Sequence, residues 1–180
     1  DATKGKQRGI FSFDDVAALK IKNLKKRIYT DIESIPAWKM KECIYKGVDD
    51  YEYLYDEWKE LNVGDRWGNN GWSAFFKNSF DMPARFKGKK VTLNVYFGGD
   101  SLLTLNGEPY QGLDPFRNSV LLTECAKGDE HYDVDIESYY VWHSNESTVK
   151  TLSCSFIGVV DPVIEEIYWD FKAVFNALFM

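Results

Sequence analysis

The chain has 180 residues, 44% hydrophobic and 28% charged, with 22 Lys and Arg against 28 Asp and Glu for a net charge of −6. These values exclude a disordered tail, a collagen repeat and a disulfide miniprotein, and a domain of this size buries roughly 70% of its unfolded surface without a covalent staple. The negative average field disfavours a nucleic-acid partner, no apolar run is long enough to span a membrane, and two histidines, His131 and His143, exclude any site that needs three within this chain.

Residues 1–37 read as a helical extension. Ser12 is a suitable N-cap with Asp15 three residues on, and Phe11 and Val16 stand as a hydrophobic staple. Ala17, Ile21, Leu24 and Ile28 then recur at helical spacing. Lys20, Lys22, Lys25, Lys26 and Arg27 form the basic, solvated side of that helix. A helix of this length needs a packing partner to be stable.

Residues 38–160 read as β. Phe75, Phe76, Phe80 and Met82 lead into Pro83, and Val91, Leu93, Val95 and Phe97 alternate as in a half-buried strand. Leu102, Leu103 and Leu105 form a strand that ends on Asn106-Gly107, a hairpin signal because both turn positions need φ > 0. Tyr110 begins the return strand, and Val120, Leu121 and Leu122 form another. Tyr132, Val134, Ile136 and Ser138 alternate, as do Leu152, Cys154, Phe156 and Gly158. Short strands at this spacing predict an antiparallel sandwich.

Residues 161–180 read as a helix capped by Asp161, with Pro162 at its first position and Glu165 and Glu166 in the first turn. Ile164, Ile167, Tyr168, Phe171, Val174, Phe175 and Leu178 form a wide apolar stripe, still running at Met180. Such a stripe should not end in solvent, so the expectation is a chain cut from something longer.

Candidate chemistry is sparse. Cys43, Cys125 and Cys154 show no disulfide or metal spacing and read as buried free thiols of a cytosolic protein. Asn145-Glu146-Ser147 is a glycosylation triplet of a kind common by chance. The acidic stretch Asp49, Asp50, Glu52, Asp56 and Glu57, interleaved with Tyr51, Tyr53, Tyr55 and Trp58, reads as a solvated edge. His131 and His143 read as boundary histidines rather than ligands or bases. The segment Leu105–Asn118 stands out: its Tyr110, Gln111, Asp114 and Arg117 could stack on a sugar and match its hydroxyls, or serve a structural loop or an interface with a neighbouring domain.

Several pieces match a known pattern. They are Val63-Gly64-Asp65-Arg66-Trp67-Gly68, Phe75-Phe76, Gly98-Gly99-Asp100-Ser101, Asn106–Asp114 and Val160-Asp161-Pro162 before the aromatic helix. Across nearly its whole length the chain resembles the N-terminal β-sandwich region of glycoside hydrolase family 38 α-mannosidases. The resemblance implies a mainly β fold, an antiparallel jelly-roll-like sandwich (galactose-binding-domain-like) with flanking helices. It implies a non-catalytic accessory domain in a cytoplasmic parent enzyme that hydrolyses terminal α-mannosidic bonds. Zinc is expected in the parent's catalytic domain, with no cofactor and no catalytic residue in this chain.

On that reading the partners are the catalytic domain, a mannose-containing oligosaccharide and a homo-oligomer contact. Residues 161–180 begin a linker that docks on the catalytic domain through Phe171, Val174, Phe175 and Leu178. Trp67, Tyr110, Gln111, Asp114 and Arg117 are the candidates for sugar or interdomain contact. The alternative is a stand-alone carbohydrate-binding module, motivated by the 12 Phe, 11 Tyr and 6 Trp, with Trp67 or Tyr110 at its site.

Overall fold

The computed structural model describes residues 13–139 and 149–179. The expected cap Ser12, the staple residue Phe11, His143, the triplet at 145–147 and Met180 lie outside the described residues. The chain divides into two compact units, one spanning 31–159 and one formed by the two chain ends, up to Thr30 and from Val160.

The larger unit is built of strands. In chain order they are β1 (Tyr29–Ser34), β2 (Ala37–Gly47), β3 (Asp50–Tyr53), β4 (Lys59–Asn62), β5 (Arg66–Trp67), β6 (Trp72–Asp81) and β7 (Val91–Tyr96). They continue with β8 (Asp100–Leu105), β9 (Glu108–Leu113), β10 (Ser119–Thr123), β11 (His131–Tyr139), β12 (Lys150–Thr151) and β13 (Cys154–Val160). A four-stranded sheet runs β1-β13-β7-β10. A seven-stranded sheet runs β3-β2-β6-β11-β8-β9, with β4 also pairing β2. β5 and β12 form a short ladder, Lys150 opposite Trp67. The fold is the expected antiparallel jelly-roll sandwich, mainly β with a helix at each end.

The period-2 patterns explain most of the layering. Trp38 and Met40 of β2, Phe76 of β6, Leu103 of β8, and Val134 and Ile136 of β11 point into one core. They meet Val91, Leu93 and Val95 of β7, Val120 of β10, and Ile157 and Val159 of β13. Phe76 stacks on Phe97 at 3.9 Å between ring centroids, and Trp38 meets Phe97 edge-on at 5.3 Å. The β8–β9 hairpin forms at Asn106-Gly107, with φ of 50° and 84°, as a primed turn requires.

Three details differ from the pattern. Strand pairing begins at Tyr29, ahead of residue 38, because β1 carries polar residues with no alternation to betray it. β7 is buried on both faces: Thr92 and Asn94 are as hidden as their apolar neighbours, and the Asn94 amide donates to the Thr92 hydroxyl at 3.1 Å. In β13 the fully buried phase is Ser155, Ile157 and Val159, whereas Cys154 and Phe156 are only half-buried. Both phases of that strand carry apolar residues, so alternation alone leaves its facing undetermined.

The smaller unit pairs two helices, α1 (Phe13–Arg27) and α2 (Pro162–Phe179). Ile28, Val160 and Tyr168 are buried there with Ile21, Leu24, Tyr29 and Ile164 against them. The Asp161 carboxylate caps α2 by accepting from the N–H groups of Val163 and Ile164 at 3.0 and 3.1 Å.

Candidate functional site

The loop between β9 and β10 is braced from within. The Asp114 carboxylate accepts from the N–H groups of Phe116 and Arg117 at 2.7 and 2.8 Å, and the Arg117 guanidinium pairs with it at 2.9 Å. The Arg117 hydrogen bond and those N–H groups hold the Asp114 carboxyl below the usual carboxylate range. The Gln111 amide donates to the Ser119 carbonyl at 3.1 Å, and the Tyr110 hydroxyl donates to the Leu121 carbonyl at 2.8 Å. Asp114 and Arg117 thus brace the loop from within, whereas Tyr110 and Gln111, expected on the same loop, lie on β9 and donate to carbonyls of β10. Phe116 at the tip is 82% exposed.

Trp67 is not in that constellation, and the expectation that it touches sugar is corrected. It is 2% exposed, its indole N–H donates to the Phe97 carbonyl at 2.7 Å, and its ring meets Phe76 edge-on at 5.1 Å. A ring enclosed in this way offers no face to a ligand. The same end of the sandwich holds a buried carboxylate. Glu42 accepts from the Gly68 N–H at 2.7 Å and from the Tyr55 hydroxyl at 3.2 Å, tying two loops to β2. Burial pushes the Tyr55 phenol up to about 12, and the Glu42 carboxylate adds to the shift.

The predicted stripe of α2 divides between two surroundings. Tyr168 is buried among the helix pair and Ile164 packs beside it. Phe175 is half-buried. Val163, Ile167, Phe171, Val174 and Leu178 are exposed, Leu178 by 67%. Of the four residues expected to dock, Phe171, Val174 and Leu178 therefore lie on the open side.

The outward face of the seven-stranded sheet has two halves. One half is aromatic: Tyr51 meets Phe75 edge-on at 4.9 Å and Tyr45 at 5.7 Å, and the Lys41 ammonium sits 4.3 Å from the Tyr53 ring centroid. The other half is a polar groove of about 1200 Å³, lined by Trp58, Lys39, Lys77, Asp133, Asp135 and His131 among others. No sequence pattern marked this groove: its residues are spread over separate segments, and Trp58 and His131 stood out only as part of an acidic stretch and as a boundary histidine. Among the described residues no three His, Cys, Asp or Glu side chains converge to hold a metal ion. No described helix is long and apolar enough to cross a membrane.

Comparison with known proteins places these features. The family model for the α-mannosidase jelly roll domain matches residues 31–173. Alpha-mannosidase G of Dictyostelium discoideum is 27% identical over 97 residues, which are 51% of this chain and 9% of that protein. The matched stretch is therefore under a tenth of that relative's length. Among solved structures, β-glucuronidase from Ruminococcus gnavus in complex with D-glucaro-d-lactam aligns with a TM-score of 0.47 and 12% identity, over 73% of this chain and 30% of that one. A Faecalibacterium prausnitzii β-glucuronidase aligns with a TM-score of 0.43 and 11% identity, over 60% and 21%.

Proposed function

The chain belongs to the α-mannosidase jelly roll domain family, and from that premise we propose that it is the non-catalytic accessory domain of a zinc-dependent α-mannosidase. The parent enzyme would hydrolyse terminal α-mannosidic bonds, with the zinc and the catalytic carboxylates supplied by its catalytic domain. This chain's work is to fold as a rigid sandwich and to pack on that domain. The observation that carries the reading is the family match over residues 31–173.

The open side of α2 supports a packing role. Val163, Ile167, Phe171, Val174 and Leu178 present apolar side chains that α1 does not cover, and such a stripe is stabilised by burial against another domain. The braced segment Tyr110–Arg117 is the second contact we assign to the catalytic domain. There the exposed Phe116 is the anchor, and the internally paired polar groups hold its position. A place in the cytoplasm is supported by Cys43, Cys125 and Cys154, none of them in a disulfide.

The parent polypeptide, assayed on an aryl α-mannoside before and after chelation of zinc, tests the reaction. Zinc-dependent turnover is expected, and no hydrolysis of any α-mannoside overturns it. Docking is tested by mixing the 180-residue chain with the separately produced catalytic domain. Val174→Asp with Leu178→Asp should weaken the complex at least tenfold. Equal affinity of the double variant, or self-association of the chain through the same stripe, overturns the docking role.

A further inference from the structure

The polar groove on the seven-stranded sheet has no part in the docking reading, and its chemistry is specific. Its floor is a row of outward side chains fixed by strand register. Glu60 of β4 faces Lys39 of β2, Lys39 faces Lys77 of β6, and Lys77 faces Asp135 of β11. The next row places Ser79 opposite Asp133, and the last Asp81 opposite His131. Asn106-Gly107 of the β8–β9 hairpin closes one side, and Trp58, with its ring half out in solvent (39% exposed), stands at the other.

The charges in this groove largely balance one another. The Lys77 ammonium pairs with Asp135 at 3.3 Å and lies 5.2 Å from the Trp58 ring centroid. The Lys59 ammonium sits 3.6 Å from the Tyr55 ring centroid. His131 lies between two carboxylates, Nδ1 at 2.7 Å from Asp81 and Nε2 at 3.5 Å from Asp133. Such a surface is not built as an anion site: Lys77 has a carboxylate and Lys59 a ring beside it, and Lys39 stands opposite Glu60 in register. It is not an apolar docking face either. It offers dense, alternating donors and acceptors next to one exposed indole.

That combination matches a ligand whose rim is hydroxyl groups and whose faces are C–H. A volume of about 1200 Å³ exceeds the range of roughly 300–1,000 Å³ usual for small-ligand sites, so several linked rings fit better than one. We propose that this groove binds a neutral oligosaccharide, with Trp58 as the stacking platform and Lys39, Glu60, Lys77, Asp133 and Asp135 as the hydrogen-bonding floor. The inference stands apart from the docking of α2 and from the identity of the parent's substrate.

Titration of the 180-residue chain with mannotriose, cellotriose and trigalacturonate, followed by amide NMR shifts, tests it. One of the two neutral trisaccharides should bind with a Kd of about 1 mM or tighter, shifting Lys39, Lys77 and Asp133. Trp58→Ala should weaken that binding at least tenfold, and Lys39→Ala, at an exposed floor position, should weaken it severalfold. Tyr110→Ala should leave it unchanged, with circular dichroism confirming that each variant is folded. Absence of binding by both neutral sugars, binding confined to the acidic one, or binding that survives Trp58→Ala and Lys39→Ala in folded variants would each overturn the proposal.

Discussion

Replacing Trp67 with Phe separates a core residue from a ligand platform. The change keeps an aromatic ring against Phe76 but removes the indole N–H that donates to the Phe97 carbonyl at 2.7 Å. A buried acceptor left without its donor costs about 1–3 kcal/mol. The smaller ring forfeits apolar contact worth one or two methylene groups, at about 0.8 kcal/mol each. Together these give a loss near 3 kcal/mol, and at about 2–4 °C per kcal/mol for a chain of this size the Tm falls by about 6–12 °C. Thermal unfolding followed by far-UV circular dichroism reads this directly. The bound-sugar NMR shifts of the groove should be the same in the variant. A Tm within about 2 °C of the parent chain would refute the assignment of Trp67 to the core.

Three further outcomes are expected. Cys43 is buried, and burial, followed by the charges of Glu137 and Glu42, pushes its thiol up to about 11; at mildly alkaline pH a thiol reagent should label exposed Cys125 quickly and Cys43 only on unfolding, and equal rates would contradict this. Gly99→Ala places a Cβ 2.9 Å from both the Ser138 hydroxyl and the Tyr139 carbonyl, so its urea midpoint should drop by the equivalent of about 1–3 kcal/mol. Gly47→Ala, with open space around it, should cost much less, and equal midpoints would contradict the packing. Burial disfavours the Glu130 carboxylate, but N–H groups from Lys127, Gly128 and Asp129 outweigh it and hold its pKa below the usual carboxylate range, as the Arg117 hydrogen bond does for Asp114. A carboxylate depressed in the folded state adds stability that is present above its unfolded pKa and lost as pH falls through its folded pKa. Glu130→Gln should therefore flatten the acid limb of stability below the ordinary carboxylate range, and an unchanged limb would count against it.

How much was legible in the chain follows from the range of each interaction. The Asn106-Gly107 turn, the Asp161 cap, and the inward phases of β7 and β11 are set by backbone sterics and nearest neighbours, so residue order alone determined them. The antiparallel sandwich was legible for the same reason, since several such strands have few ways to bury one face each, whereas its jelly-roll character came from the family resemblance. β1 was not legible, because a polar strand is made by its partner rather than by its own pattern. The inward face of β13 was not legible either, because both of its phases are apolar.

The site residues divide along the same line. Tyr110, Gln111, Asp114 and Arg117 lie within eight positions of one another, so their closeness could be read from the sequence, but not that Tyr110 and Gln111 stand on β9 rather than in the loop. Trp67 looked equally available, and only the packing of Phe76 and the carbonyl of Phe97 against it decided that it is core. Lys39, Lys77, Asp133 and Asp135 come from strands far apart in the chain and meet through register across β2, β6 and β11, and Trp58 joins them from the segment between β3 and β4. The sequence by itself determined which segments alternate, turn and cap. Which outward residues share a groove, and which aromatic rings are sealed, was decided by the tertiary structure, because strand register and sheet stacking depend on partners that local order does not specify.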